Sequence, residues 1–185
     1  MQKRVYIIHG WGGVPQSNWF PWLREELEQR GYQVEVPAMP DTERPRLDAW
    51  LGRLQEVAGE PNEHNFFVGH SLGVVTILRY LESLHPGQRI GGAVLVAGFS
   101  ESIGIPELEN FFSKPLDHDK VKVSAHRIIA IHSDNDPYIP LRRGEFLRDR
   151  LGAELIVVRN AGHLNAGDGF TMLPIVLEKI LEISG

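Results

Sequence analysis

The chain has 185 residues, 42% of them hydrophobic, which suits a single domain with one core over residues 1–185. A formal net charge of −5 and basic runs no longer than Arg142-Arg143 argue against a nucleic-acid surface. The absence of cysteine excludes disulfides, thiolate metal sites and a cysteine nucleophile.

Taken in order, Met1-Gln2-Lys3-Arg4 leads into Val5-Tyr6-Ile7-Ile8, an apolar run too short for a signal-peptide core. No apolar segment approaches the roughly 20 residues that span a bilayer. The expectation is a cytoplasmic protein without membrane contact. The run predicts a first strand over Arg4–Ile8. An amphipathic helix follows over Trp19–Arg30, with Trp19, Leu23 and Leu27 on one stripe and Gly31 as its C-terminal cap. A strand at Gln33–Val36, a helix at Leu47–Ala58, a strand at Asn65–Val68, a helix at Leu72–Leu84 and a strand at Gly92–Val96 continue the alternation. The segment Gly98–Ala125 breaks it, with Phe99, Ile103, Ile105, Leu108, Phe111 and Phe112 set among Pro106 and Pro115. A short helix is expected near Pro106–Phe112, and the charged run Asp117-His118-Asp119-Lys120 reads as solvated. The rhythm resumes with a strand at Arg127–Ile131, a helix at Leu141–Leu151, a strand at Glu154–Val158 and a helix at Phe170–Ile183. Nearly all-apolar strands alternating with amphipathic helices predict an α/β fold, a mostly parallel six-stranded sheet covered by helices on both faces.

One motif stands out against this frame. Gly69-His70-Ser71-Leu72-Gly73 is a G-x-S-x-G sequence between an apolar strand and a helical pattern, the context of a nucleophile elbow. A serine hydroxyl is a weak nucleophile and needs an adjacent base, usually a histidine oriented by a carboxylate. The last two strand–loop junctions offer those partners in the chain order serine, acid, histidine. Asp136, in the loop Ser133-Asp134-Asn135-Asp136-Pro137, is the expected acid, with Asp134 the alternative. His163, after Gly162, is the expected general base; of the eight histidines it alone lies in the loop after the final strand. His70 is expected to shape the elbow rather than to move protons.

The first strand ends in His9-Gly10-Trp11-Gly12-Gly13. An oxyanion needs two preorganised donors, here the backbone N–H of Leu72 and that of Trp11, with Gly12 the alternative. Two rival readings fail. The first loop lacks the full G-x-G-x-x-G spacing of a dinucleotide site, and no histidine pair has helical metal-ligand spacing. No cofactor and no metal are expected.

Together with Trp19-Phe20-Pro21-Trp22-Leu23, Val36-Pro37-Ala38-Met39-Pro40 and Trp50, these segments resemble the small capless α/β-hydrolases grouped with retinoblastoma-binding protein 9 and its YdeN-type bacterial relatives. The resemblance covers nearly the whole chain. It implies an α/β-hydrolase fold without a separate lid domain, and a serine-hydrolase triad of Ser71, Asp136 and His163. It carries no retinoblastoma-protein docking, since a chain without cysteine has no L-x-C-x-E motif.

The expected activity is cleavage of small acyl esters, with amides as the second option, through an acyl-enzyme on Ser71. The pocket is expected to be lined by Trp11, Met39, Phe99, Phe111, Phe112, Tyr138 and Leu164, although each is also a candidate for the core. The expected partner is a small-molecule acyl substrate, and the sequence does not decide whether there are protein partners. Two other readings share the fold: a binding module with little chemistry, and an acyl transferase that uses another acceptor.

Overall fold

The apolar runs become strands and the amphipathic segments become helices. The computed structural model describes residues 2–185. Its strands are β1 (Arg4–Ile8), β2 (Gln33–Glu35), β3 (Asn65–His70), β4 (Gly92–Val96), β5 (Ile128–Ser133) and β6 (Glu154–Val158). They form one six-stranded sheet in the order β2-β1-β3-β4-β5-β6, every neighbouring pair parallel. Parallel neighbours need crossover connections, and helices lie in all five: α1 (Phe20–Glu28), α2 (Leu47–Ala58), α3 (Leu72–Ser83), α4 (His118–Val123) and α5 (Arg142–Leu151), with α6 (Pro174–Ser184) following the last strand.

Side chains alternate between the two faces, as the pleat requires. On β1, Tyr6 and Ile8 join the core under α2, α3, α4 and α5, while Val5 and Ile7 face α1 and α6. On β5, Ala130 takes the first face and Ile129 and Ile131 the second. Strands β3, β4 and β5 are buried along their whole length, and β6 is a half-exposed edge. Helix α3 is the most enclosed, buried from Leu72 to Leu81 with the polar side chains of Thr76 and Arg79 included. Each large apolar side chain so enclosed contributes about 1.5–3 kcal/mol.

Several boundaries differ from the sequence reading. Strand β3 runs two residues further, to His70, and β5 reaches Ser133, so both carry the chain up to the functional loops. The last helix starts at Pro174, because proline with its preset φ favours the first turn; a short 3₁₀ turn at Ala166–Asp168 precedes it. The segment Pro106–Phe112 is a 3₁₀ helix. The charged run Asp117–Lys120 is not merely solvated. Asp117 caps α4, its Oδ1 accepting from Lys120 N–H at 3.0 Å. Gly31 (φ 83°) closes α1: its N–H donates to Glu28 O and the Tyr32 N–H to Leu27 O, a Schellman pattern.

The topology also locates the site. The chain leaves β1 for β2 on one side and returns to β3 on the other. Connections that diverge in this way open a crevice at the strands' carboxyl ends, here between the loop after β1 and the turn after β3. Among the described residues no helix is long and apolar enough to cross a membrane.

Candidate active site

Ser71 sits at that crevice, between the last residue of β3 and the first of α3. Its backbone has φ 54° and ψ −119°, a corner suited to glycine. Such strain costs a serine about 1–3 kcal/mol and persists only where surroundings impose it. Here the Ser71 N–H donates to Val96 O, and Ser71 O accepts from Val74 N–H, both at 3.0 Å. Close packing leaves no slack. A β-carbon at Gly73 would lie 2.1 Å from Ile8 O, and one at Gly69 2.8 Å from Val74 N. The loop after β1 passes equally close, since a β-carbon on Gly10 would stand 3.1 Å from the Ser71 Cβ.

Asp136 and His163 meet across the ends of β5 and β6. The His163 Nδ1 lies 2.7 Å from Asp136 Oδ2. The other carboxylate oxygen, Oδ1, accepts from the N–H groups of Tyr138 (2.8 Å) and Ile139 (2.9 Å). Burial by itself would raise the Asp136 carboxyl. The His163 hydrogen bond, the two backbone donors and the His163 charge outweigh it and hold the group below its ordinary value. An ionised carboxylate only accepts, so Nδ1 carries the proton and Nε2 presents its lone pair. His163 and Ser71 line the same cavity. The Tyr138 ring stands edge-on to the imidazole, centroids 5.2 Å apart.

The histidine loop is fixed by a device that sequence reading missed. Asn160, Gly162 and Leu164 all have positive φ (52°, 54° and 54°), and the tight turn they make closes with Leu164 N–H on Ala161 O at 3.1 Å. Four successive N–H groups turn to side-chain oxygens. Asn160 donates to Asp134 Oδ1 (2.7 Å), Ala161 to Ser133 Oγ (3.0 Å), Gly162 to Asn135 Oδ1 (2.8 Å) and His163 to Asp168 Oδ2 (2.7 Å). Asp134, the alternative acid, is thus occupied with the loop backbone, and Asp136 is the carboxylate on the imidazole. The polar run Ser133–Asp136 was the available signal, but its targets are main-chain groups that no side-chain pattern reveals.

Two further histidines hold the frame. His70 Nε2 lies 2.9 Å from His163 O, and since a carbonyl only accepts, Nε2 is the donor. Burial first, then repulsion from His163, pushes His70 down to about 3, so it stays neutral and tethers the His163 backbone. His9 accepts from Met39 N–H through Nε2 (3.1 Å) and donates through Nδ1 to Gly10 O (2.9 Å). Burial lowers its pKa, and the neutral ring ties the loop after β1 to the loop after β2. In that first loop the Gly12 N–H donates to Thr42 O and the Gly13 N–H to Gly10 O.

The cavity over Ser71 has a volume of about 480 Å³. Trp11, Phe99 and Tyr138 line it. Met39, Phe111, Phe112 and Leu164, also expected there, lie elsewhere. Met39 is buried under His9, Phe111 packs edge-on to Trp50 at 5.9 Å, Phe112 lies against Phe99 at 5.8 Å, and Leu164 is buried with its carbonyl accepting from Trp19 Nε1. Apolar character selected them, but the core recruits the same residue types as a pocket. In their place the insert after β4 contributes Ile103, Ile105 and Leu108.

Comparison with known proteins agrees with this architecture. Residues 5–182 match the family described as serine hydrolase. The YdeN protein of Bacillus subtilis (strain 168) is 37% identical over 96% of this chain and 94% of its own length. The serine hydrolase RBBP9 of Rattus norvegicus is 28% identical over 94% of this chain and 93% of its own length. The crystal structure of the B. subtilis ydeN gene product superimposes with a TM-score of 0.92 at 36% identity, covering 98% of each chain. Its parallel sheet flanked by helices, without a separate lid, is the α/β-hydrolase fold. With sequence and architecture matched over nearly the full length of the described chain, this protein belongs to the serine hydrolase family.

Proposed function

We propose that this protein cleaves small acyl esters, with amides as slower substrates, through a Ser71–His163–Asp136 triad. The observation that carries the reading is the strained Ser71 at the crevice, opening into one cavity with an imidazole already hydrogen-bonded to a carboxylate. His163 Nε2 takes the hydroxyl proton as Ser71 Oγ attacks the substrate carbonyl carbon. The negative oxygen that forms is received by the N–H groups of Leu72 and Trp11. The choice of Trp11 is supported by the commitment of Gly12 and Gly13 to other carbonyls. Each such donor is worth about 100- to 1,000-fold in rate. Collapse expels the alcohol, which takes the proton from His163. Water then attacks the acyl-enzyme, giving its proton to Nε2, and the acid leaves as Ser71 regains its own.

The test is intact-protein mass spectrometry after incubation with a fluorophosphonate, for wild type and Ser71→Ala. The expected result is one adduct on wild type and none on the variant. A folded wild type that stays unmodified would overturn the proposal.

A further inference from the structure

The cavity lining has two parts, and the parts differ in chemistry. Phe99, Ile103, Ile105, Leu108 and Ile139 form one wall; they belong to the insert after β4 and the loop after β5 and are continuous with the core under α2 and α3. A second, polar stretch of lining comes from the loop before α1 and the His163 loop, with Ser17, Asn18 and Asn165. The oxygens of both asparagines are engaged. Asn18 Oδ1 accepts from Ala166 N–H (3.0 Å), and Asn165 Oδ1 accepts from Asp168 N–H (3.0 Å). Each side chain therefore turns its NH₂ group to other partners, as a donor. No Lys, Arg, Asp or Glu lines the cavity among the described residues.

Resting on the hydrolase reading above, we infer that the substrates join a medium-length aliphatic acyl group to a neutral, oxygen-rich alcohol. His163 returns its proton to the leaving group, so the alcohol lies on the wall that belongs to the histidine's own loop. That wall offers amide donors, which pair with hydroxyl and ether oxygens, and no carboxylate to attract a cation. The acyl chain is left the apolar wall. A volume of about 480 Å³ exceeds what an acetyl group fills and falls in the lower part of the range of about 300–1,000 Å³ usual for ligand pockets. Each methylene placed on an apolar wall is worth up to about fourfold in binding.

The experiment measures kcat/KM for acetyl, hexanoyl and decanoyl monoesters of glycerol, and for hexanoylcholine, at submicellar concentration. The expected result is a rise of about tenfold or more from acetyl to hexanoyl, no further rise at decanoyl, and hexanoylglycerol preferred over hexanoylcholine. Two variants sharpen it. Ile105→Asn should narrow the hexanoyl-to-acetyl ratio. Asn18→Asp keeps the acceptor for Ala166 but replaces the amide donor with a carboxylate oxygen, so the choline-to-glycerol ratio should rise by about threefold or more. Fluorophosphonate labelling is run on every sample. Full labelling with a flat acyl profile, or with choline and glycerol esters cleaved equally, overturns the two-walled assignment and leaves the hydrolase reading standing. Absence of labelling overturns both.

Discussion

Replacing His132 with leucine should make the fold less sensitive to acid. His132 lies on β5, fully buried, its ring so close to α5 that a β-carbon on Gly144 would stand 2.6 Å from its Cδ2. Neither ring nitrogen has a hydrogen-bond partner among the described residues. Burial pushes its pKa down from the ordinary 6.5 to about 4, with Asp136 partly opposing and His163 reinforcing the shift. Between those values the unfolded chain binds a proton that the folded protein does not, so stability falls as pH falls. At pH 4.5 the difference amounts to roughly 2–3 kcal/mol, whereas at pH 7 it is well under about 1 kcal/mol. Total stabilities of about 5–15 kcal/mol are usual, so this one ring is a sizeable share. Urea unfolding followed by tryptophan fluorescence at pH 7.0 and pH 4.5 reads the effect. His132→Leu should lose about 2 kcal/mol less than wild type between the two conditions. His70 contributes its own acid sensitivity to both proteins and cancels in the comparison. Equal losses in the two proteins would refute the argument that the buried ring stays neutral.

Three more outcomes follow from the geometry. Gly73→Ala should cost more than about 3 kcal/mol, read as a collapse of the urea midpoint, because its methyl would meet Ile8 O at 2.1 Å with backbone on both sides; a change below 1 kcal/mol, on the order of a surface substitution, would contradict the packing. Asp136→Asn should lower kcat by about 10⁴-fold by supplying the wrong partner for Nδ1, whereas Asp134→Ala, which removes only the acceptor for Asn160 N–H, should cost less than about tenfold; kcat measured on the same ester separates the two carboxylates. Ser71→Gly should melt about 2–4 °C above Ser71→Ala by calorimetry, since glycine relieves roughly 1–3 kcal/mol of strain at φ 54° and returns at most about 1 kcal/mol of it as backbone entropy.

Legibility in the sequence followed the kind of interaction. Strands such as Gly92–Val96 and the elbow at Gly69–Gly73 were readable because period and glycine spacing are local properties of the chain. The loop after β6 was readable only as a histidine beside a glycine. What positions it, the oxygens of Ser133, Asp134, Asn135 and Asp168, acts on main-chain N–H groups, which every residue but proline carries alike. Helix α4 was hidden because Asp117 looks like any other charge until Lys120 N–H is seen to reach it. Met39 and Phe111 were expected in the pocket for an allied reason. An apolar side chain declares that it will be buried but not against what, and of the three insert aromatics expected in the pocket, Phe99, Phe111 and Phe112, only Phe99 faces the cavity.

Arg79 has a consequence for how substrates arrive. This buried guanidinium on α3 donates to Phe111 O (3.0 Å through Nε, 2.8 Å through one terminal nitrogen) and to Lys114 O (2.6 Å), and it pairs with Glu82 at 2.8 Å. It rivets the main chain of the insert to the helix that begins next to Ser71. Swinging the Phe111–Lys114 end of the insert away from α3 would break these bonds and leave a buried guanidinium without partners, which makes such a motion costly. New preferences would be acquired by exchanging side chains on a fixed wall, at Ile103 or Ile105, rather than by retuning a motion.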